Sequence, residues 1–446
     1  MVTQVQDKPE VSYLQQLLNL AKTQTIVPQN SHLQDLRDRA ATELQDKAIP
    51  TQKEEDWRFT DLSGLLQVNF QAAKPVQLTK EDISPLTLPE AENSRLVFVD
   101  GEYAPHLSTV SQTDGIFAGN LGNLPASFSD RYDHYLDKQQ GNSEIFTALN
   151  TASLTDVAII WVGKNKAVET PLHLLFISTA DDTPRMSQPR ALVVAEAGSS
   201  CTLIEHYASL EDCSGFSTHH PYFVNTVTEI WVEENAEIKH TRVQRDAPQA
   251  FHIGRTAISQ ARTSRYTLNT ISLGAKLSRH NLDLNQTGEG TETTLNGLTL
   301  IREEQLADTH SATFFNHQHG IYNQVHKCIL DDRARGVFNG RVVVSQAAQL
   351  TNANQLSQNL LLSSQARINT KPQLEIVADD VKCSHGATVS QLEDDEIFYL
   401  RSRGLDDRMS RHLLIDAFAS EILQKLPLDS LRQILSRCVA CRTELS

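Results

Sequence analysis

The sequence predicts a mainly β protein built around a parallel β-helix, with helical regions at its N-terminal and C-terminal ends. Three observations carry that prediction. Short apolar runs recur from Ala191 to Val389, among them Glu229-Ile230-Trp231-Val232, Leu298-Thr299-Leu300-Ile301, Val342-Val343-Val344 and Leu374-Glu375-Ile376-Val377. They are too short for buried helices and rich in β-branched residues, so they read as strands. Polar or glycine-bearing corners separate them, such as Ala197-Gly198-Ser199-Ser200, Gly288-Glu289-Gly290-Thr291 and Asp331-Asp332-Arg333. Finally, an apolar residue is followed four positions later by alanine at Val232/Ala236, Leu330/Ala334, Val344/Ala348 and Leu362/Ala366. The spacings are irregular, which excludes a fixed period and leaves a stack of unequal coils, each burying its apolar face against its neighbours. A two-sheet sandwich is the alternative. Few Asn-Gly turns and no Cys…Trp…Cys core weigh against it.

Taken in order, residues 8 to 48 predict two helices. Leu14, Leu17, Leu18 and Ala21 form one apolar stripe, and Leu33, Leu36, Ala40 and Leu44 the next. Ser31 with Gln34 fits a capping box, and Pro50 ends the second helix. Ala48 to Leu62 is aromatic and charged without a period. Residues 70 to 130 are rich in Pro, Ser, Asn and Asp, with a strand at Leu96 to Val99 and a turn at Asp100-Gly101. A further helix is predicted over Ser143 to Ala152, and strands begin at Ala158. After His385 helices return. One stops at Gly404, a natural C-terminal cap. A second is capped by Asp406 and cut by Pro427, and a third starts near Asp429. The expected organisation is a mixed N-terminal region (1–155), a β-helix core (156–389) and a helical C-terminal domain (390–446).

The chain has 446 residues and a net charge of −15. Such a balance argues against a nucleic-acid surface, which needs clustered positive charge. No apolar run reaches the length of a membrane span. The start, Met1 to Asp7, has no signal-peptide or transit-peptide pattern. Six scattered cysteines in a large chain make no disulfide framework, so the expected setting is reducing and cytoplasmic.

Candidate chemistry is sparse. Cys438-Val439-Ala440-Cys441 is the only CxxC, and it continues a helical stripe of Leu431, Ile434, Leu435 and Leu445, so packing is preferred to metal binding. His310, His317, His319 and His326 lie close in sequence without interleaved acids. They read as surface or corner residues, although His317 and His319 would share a face on a strand. Cys383 and His385 stand two apart and would share a strand face, where thiolate and imidazole suit iron, zinc or nucleophilic chemistry. Packing is the default for such a pair. Its position, where the β tract hands over to helices, raises it. Lys382 is expected on the opposite face. Gly163-Lys164-Asn165 is not a P-loop, and neither G-x-S-x-G nor G-x-G-x-x-G occurs.

Val381-Lys382-Cys383-Ser384-His385-Gly386-Ala387-Thr388-Val389, followed by Glu396 to Gly404, closely resembles the SufB/SufD family of iron–sulfur cluster assembly proteins. Glu55-Asp56-Trp57-Arg58-Phe59-Thr60, Gly336-Val337-Phe338-Asn339-Gly340 and Ile368 to Leu374 are similar to further family segments. The match is dense over about 335–426, moderate near 50–62 and loose between. Cys383-Ser384-His385 resembles the SufD branch, because SufB carries a Glu-His-Glu type sequence there. The resemblance implies a right-handed parallel β-helix. It also implies a complex with SufB, through β-helix pairing, and with the ATPase SufC, held by the C-terminal helices. A homodimer of the isolated chain, and its balance against the complex, are left open. The implied cofactor is a transient iron–sulfur cluster shared with SufB, with His385 assisting a SufB cysteine and Cys383 beside the site. A reduced flavin in the complex is left open. No enzyme activity is expected of this chain. The competing readings are a β-helix carbohydrate-active enzyme, for which no paired acids are evident, and a purely architectural interaction protein.

Overall fold

A computed structural model describes residues 12–22, 31–72, 76–111, 114–179, 183–210 and 220–443. Among these, fourteen strands from Arg190–Ala195 to Lys382–Ser390 alternate between two parallel sheets and complete about seven turns of a β-helix. The coils are unequal. Phe251 pairs with Leu277, Leu277 with Leu306, Leu306 with Arg335 and Arg335 with Arg367, advances of 26, 29, 29 and 32 residues.

The alanine pattern marks the corners. Ala236, Ala334 and Ala348 each donate a backbone N–H to the carbonyl three residues back, at 3.0 Å, and each is fully buried. Asn235 and Asp332, just before or two before these alanines, take left-handed φ values of 58° and 48°. Asn and Asp tolerate that conformation better than most residues. A side chain larger than alanine would have to displace the interior of the corner, which costs about 1–3 kcal/mol.

Inside the coils, Leu203, Ile230, Ile258, Leu284, Phe315 and Val342 belong to one apolar core. The outer faces of both sheets are covered. The N-terminal residues Leu14, Leu17, Leu18, Leu44, Trp57 and Phe146 pack on Phe223, Phe251, Ile253 and Leu277 of the first sheet. On the second sheet, Ile415, Ala419, Ile422, Leu431 and Leu435 pack on Ile271, Leu298, Leu300 and Ile329. The expected helices sit at Tyr13–Lys22, Ser31–Glu43, Asp394–Ser402, Asp407–Leu423 and Asp429–Arg442. Gly404 has φ +99°, and Asp406 accepts the Met409 N–H at 2.7 Å, as the capping residues predict. The helix expected from Ser143 runs Ile145–Ala152, with Glu144 as its cap through the Thr147 N–H at 2.9 Å. The side chains of Ala21 and Ser31, and Leu445, lie outside the described residues.

The two ends of the stack differ. At the N-terminal end, Ile116–Asn120 closes the first sheet by pairing antiparallel with Ala158–Val162. At the other end the sheets finish on Arg367–Ile376 and Lys382–Ser390, which have no further described strand beside them. The candidate site lies on this open coil.

Candidate functional site at the open coil

Cys383 and His385 lie on the last strand, opposite Ala353 and Gln355 of the preceding coil. Ala353 belongs to the apolar interior and Gln355 is buried, so this strand face turns toward the solenoid axis. Cys383 is half-buried against that core, whereas His385 is exposed. The difference follows from their neighbours: Cys383 packs against the apolar interior, whereas His385 stands opposite the polar Gln355. Burial pushes the Cys383 thiol above its usual value, against a smaller opposing effect of a backbone hydrogen bond from Ala353. The thiol is therefore held neutral. Lys382 is exposed and does not activate it, as its opposite parity on the strand predicts.

The backbone adds direction. Lys382 donates its N–H to Thr351 of the preceding coil, and Arg367 and Val377 donate to Ala334 and Val344. N–H groups alternate sides along a parallel strand. Those of Cys383, His385, Ala387 and Val389 therefore face the open edge, as does that of Ile376. Pro372, at an outward position, has no N–H to offer, the placement sheets allow for proline.

The segment Glu55 to Thr60 is fixed to the first sheet beneath this coil. Arg279 stacks over the Trp57 ring at 3.9 Å and donates to the Asp56 carbonyl at 2.7 Å. Asp308 binds Arg279 at 2.5 Å, His310 at 3.0 Å and the Thr60 hydroxyl. Burial alone would raise the Asp308 carboxyl, but Arg279 and His310 outweigh it and hold the group below the usual range. Lys371 of the last coil reaches Glu55.

The remaining predicted candidates disperse. His310 belongs to that anchor. His317 and His319 occupy a corner outside any strand and are exposed, so they do not share a strand face. His326 is buried, stacks on Phe338 at 4.7 Å, and is pushed down to about 4 by burial. Cys438 is buried on the helix stripe with Leu431 and Leu435, as packing predicts. No group of three or more metal-ligating side chains occurs among the described residues.

One feature was not anticipated. The interior of the early coils is charged: His240 binds Glu205 and the Tyr266 hydroxyl, both at 2.9 Å, and Arg242 meets His252 at 2.6 Å. Burial opposes ionisation of Glu205, yet hydrogen bonding to His240 and the charges of His240 and Arg242 bring it down to about 2. A polar residue inside a coil breaks no period-2 pattern visible in sequence, because its outward neighbours are covered too. The C-terminal helices also expose large apolar side chains. Met409, Leu413, Ala417, Phe418 and Ile422 recur at helical spacing along Asp407–Leu423. Ile422 is buried on the sheet and Phe418 half-buried, whereas Met409 and Leu413 are 55% and 47% exposed, and on the preceding helix Phe398 and Tyr399 are 73% and 57% exposed.

Comparison with known proteins agrees with this architecture. Residues 176–418 match the family described as SUF system FeS cluster assembly, SufBD core domain, and residues 10–174 match the SufBD protein N-terminal region. An iron–sulfur cluster assembly SufBD family protein of Synechocystis sp. is 49% identical over 96% of this chain and 95% of its own length. The chloroplastic protein ABCI7 of Arabidopsis thaliana is 35% identical over 89% and 83%. The iron–sulfur cluster assembly protein SufD of Escherichia coli is 33% identical over 87% and 88%. Two matched family regions spanning nearly the whole chain, and a parallel β-helix that ends on the Cys383/His385 strand, together place this chain in the SufB/SufD family of Suf-system iron–sulfur cluster assembly proteins.

Proposed function

We propose that this chain is a non-enzymatic scaffold subunit that supports iron–sulfur cluster formation at a junction between its last coil and a SufB-type β-helix. One observation carries the reading: the coil with free strand edges is also the coil that presents Cys383 and His385. A partner strand laid along Lys382–Ser390 would bond the outward N–H groups of Cys383 and His385 themselves. It would bring a partner cysteine beside an exposed imidazole. Imidazole is a good ligand for iron and can move protons near neutral pH. The nascent cluster is cargo here, completed with sulfur ligands from the partner. His385 is the principal contribution of this chain and Cys383, half-buried and neutral, a secondary one. Alone, two copies pair through the same edges.

The surface bearing Phe398, Tyr399, Met409 and Leu413 is the proposed dock for a SufC-type ATPase. Large apolar side chains exposed on two successive helices, whose Ile397, Ile415 and Ala419 are buried, favour an interaction surface. The reading needs no flavin on this chain. Co-purification tests it. The chain expressed with SufB and SufC homologues should elute with both, and Met409→Glu with Leu413→Glu should lose the ATPase alone. Elution of the chain without either partner would refute the scaffold role.

A further inference from the structure

We propose that a groove roofed by the Gln52 to Phe59 segment, at the start of the last two coils, binds a small organic phosphate with a flat body. Arg335 and Arg367 are the first residues of neighbouring strands and stand directly in register. Both are exposed. Like charges placed directly opposite on adjacent strands repel. Elsewhere the strand starts avoid this: Glu237, Arg265 and Glu292 stand in register as alternating charges, and Arg265 bonds Glu237 at 2.9 Å. Arg58 completes the groove from the roof. Among the described residues none of the three arginines has a carboxylate partner. Glu55, whose charge is felt by Arg58, is already bonded to Lys371. The groove has no acidic residue in its lining, in a chain of net charge −15.

Three arginines that line one groove without an acid suit an oxyanion, since their planar donors match phosphate oxygens in pairs. The cavity, about 580 Å³, has the size of a small-molecule site. Its remaining wall combines apolar Phe59, Leu361, Ile368 and Val389 with the amides of Gln52 and Asn369. Phe59 is 41% exposed and Val389 53% exposed. A ring stacked on Phe59 with its phosphate among the arginines uses both halves of the groove. The proposal is independent of cluster assembly.

Calorimetric titration of the full chain with AMP and with inorganic phosphate, at low salt, tests it. AMP should bind more tightly than inorganic phosphate. Arg335→Gln and Arg367→Gln should each weaken AMP binding by about tenfold. Phe59→Ala should weaken AMP binding and leave inorganic phosphate unchanged. Without ligand, Arg335→Gln should keep or raise the thermal midpoint, because it removes a repulsion. The proposal is overturned by absence of saturable AMP binding, or by AMP binding indifferent to both arginine variants. A lower ligand-free midpoint for Arg335→Gln would likewise overturn it, by making the arginines structural.

Discussion

Trp57 shows how one side chain holds a segment that sequence leaves shapeless. Its ring lies under Arg279 and against Phe146 at 5.4 Å, and it is buried. Trp57→Ala should lower unfolding free energy in urea by about 3–5 kcal/mol, through lost burial and the cavity left behind. Asp308→Asn should cost a comparable amount, about 3–5 kcal/mol, because it leaves buried Arg279 without its counter-charge. Buried histidines set the pH response. Burial lowers His326 from 6.5 to about 4 and His173 from 6.5 to about 3. The unfolded chain then binds more protons than the folded one below about 6.5, so stability falls as pH drops through that range. Urea midpoints between pH 7 and pH 4 should decline steadily, and His326→Gln should flatten the decline. A midpoint independent of pH over that window would contradict the burial of these rings.

The elements show where sequence was legible and where it was not. Corners were legible because they need small or left-handed residues, hence Ala236, Ala334 and Ala348. Caps were legible for the same local reason at Gly404 and Asp406. The face a helix presents was less so. Met409, Leu413 and Ile422 share apolar character, but only the fold decides that Ile422 meets the sheet while the other two face water. The charged interior around Glu205 and His240 was hidden, since its partners come from different coils. The strand edges separate two variants that look alike in sequence. Val343 pairs with Phe314 on one side and Glu375 on the other, so Val343→Pro should damage the solenoid itself. Ile376 directs its N–H outward, so Ile376→Pro should leave circular dichroism unchanged and weaken association with SufB. An undiminished affinity would move the junction away from this edge. Met409→Glu with Leu413→Glu should change stability by under about 0.5 kcal/mol, as exposed positions do, while abolishing ATPase binding in a pull-down.

At the scale of the molecule, the β-helix is buried on both outer faces, closed by an antiparallel strand at one end and open at the other. The N-terminal and C-terminal regions were expected as flanking parts. They flank it, and they also cover one sheet each, because each sheet carries apolar residues outward as well as inward. That arrangement leaves the last coil as the place where a homologous solenoid can continue the stack, and it puts Cys383 and His385 there. The pair was legible from its spacing and its place at the β-to-helix transition. Its contrast in burial was not, because that depends on which residues of the preceding coil stand opposite each member. The most direct test is anaerobic reconstitution of the complex with SufB and SufC homologues, measuring iron and sulfide bound by His385→Ala against the unaltered chain. The account predicts unchanged folding and unchanged binding of both partners, a clear loss of bound iron and sulfide, and a smaller loss for Cys383→Ala. A His385→Ala complex that builds clusters at the normal rate and yield would contradict it and leave the chain an architectural partner.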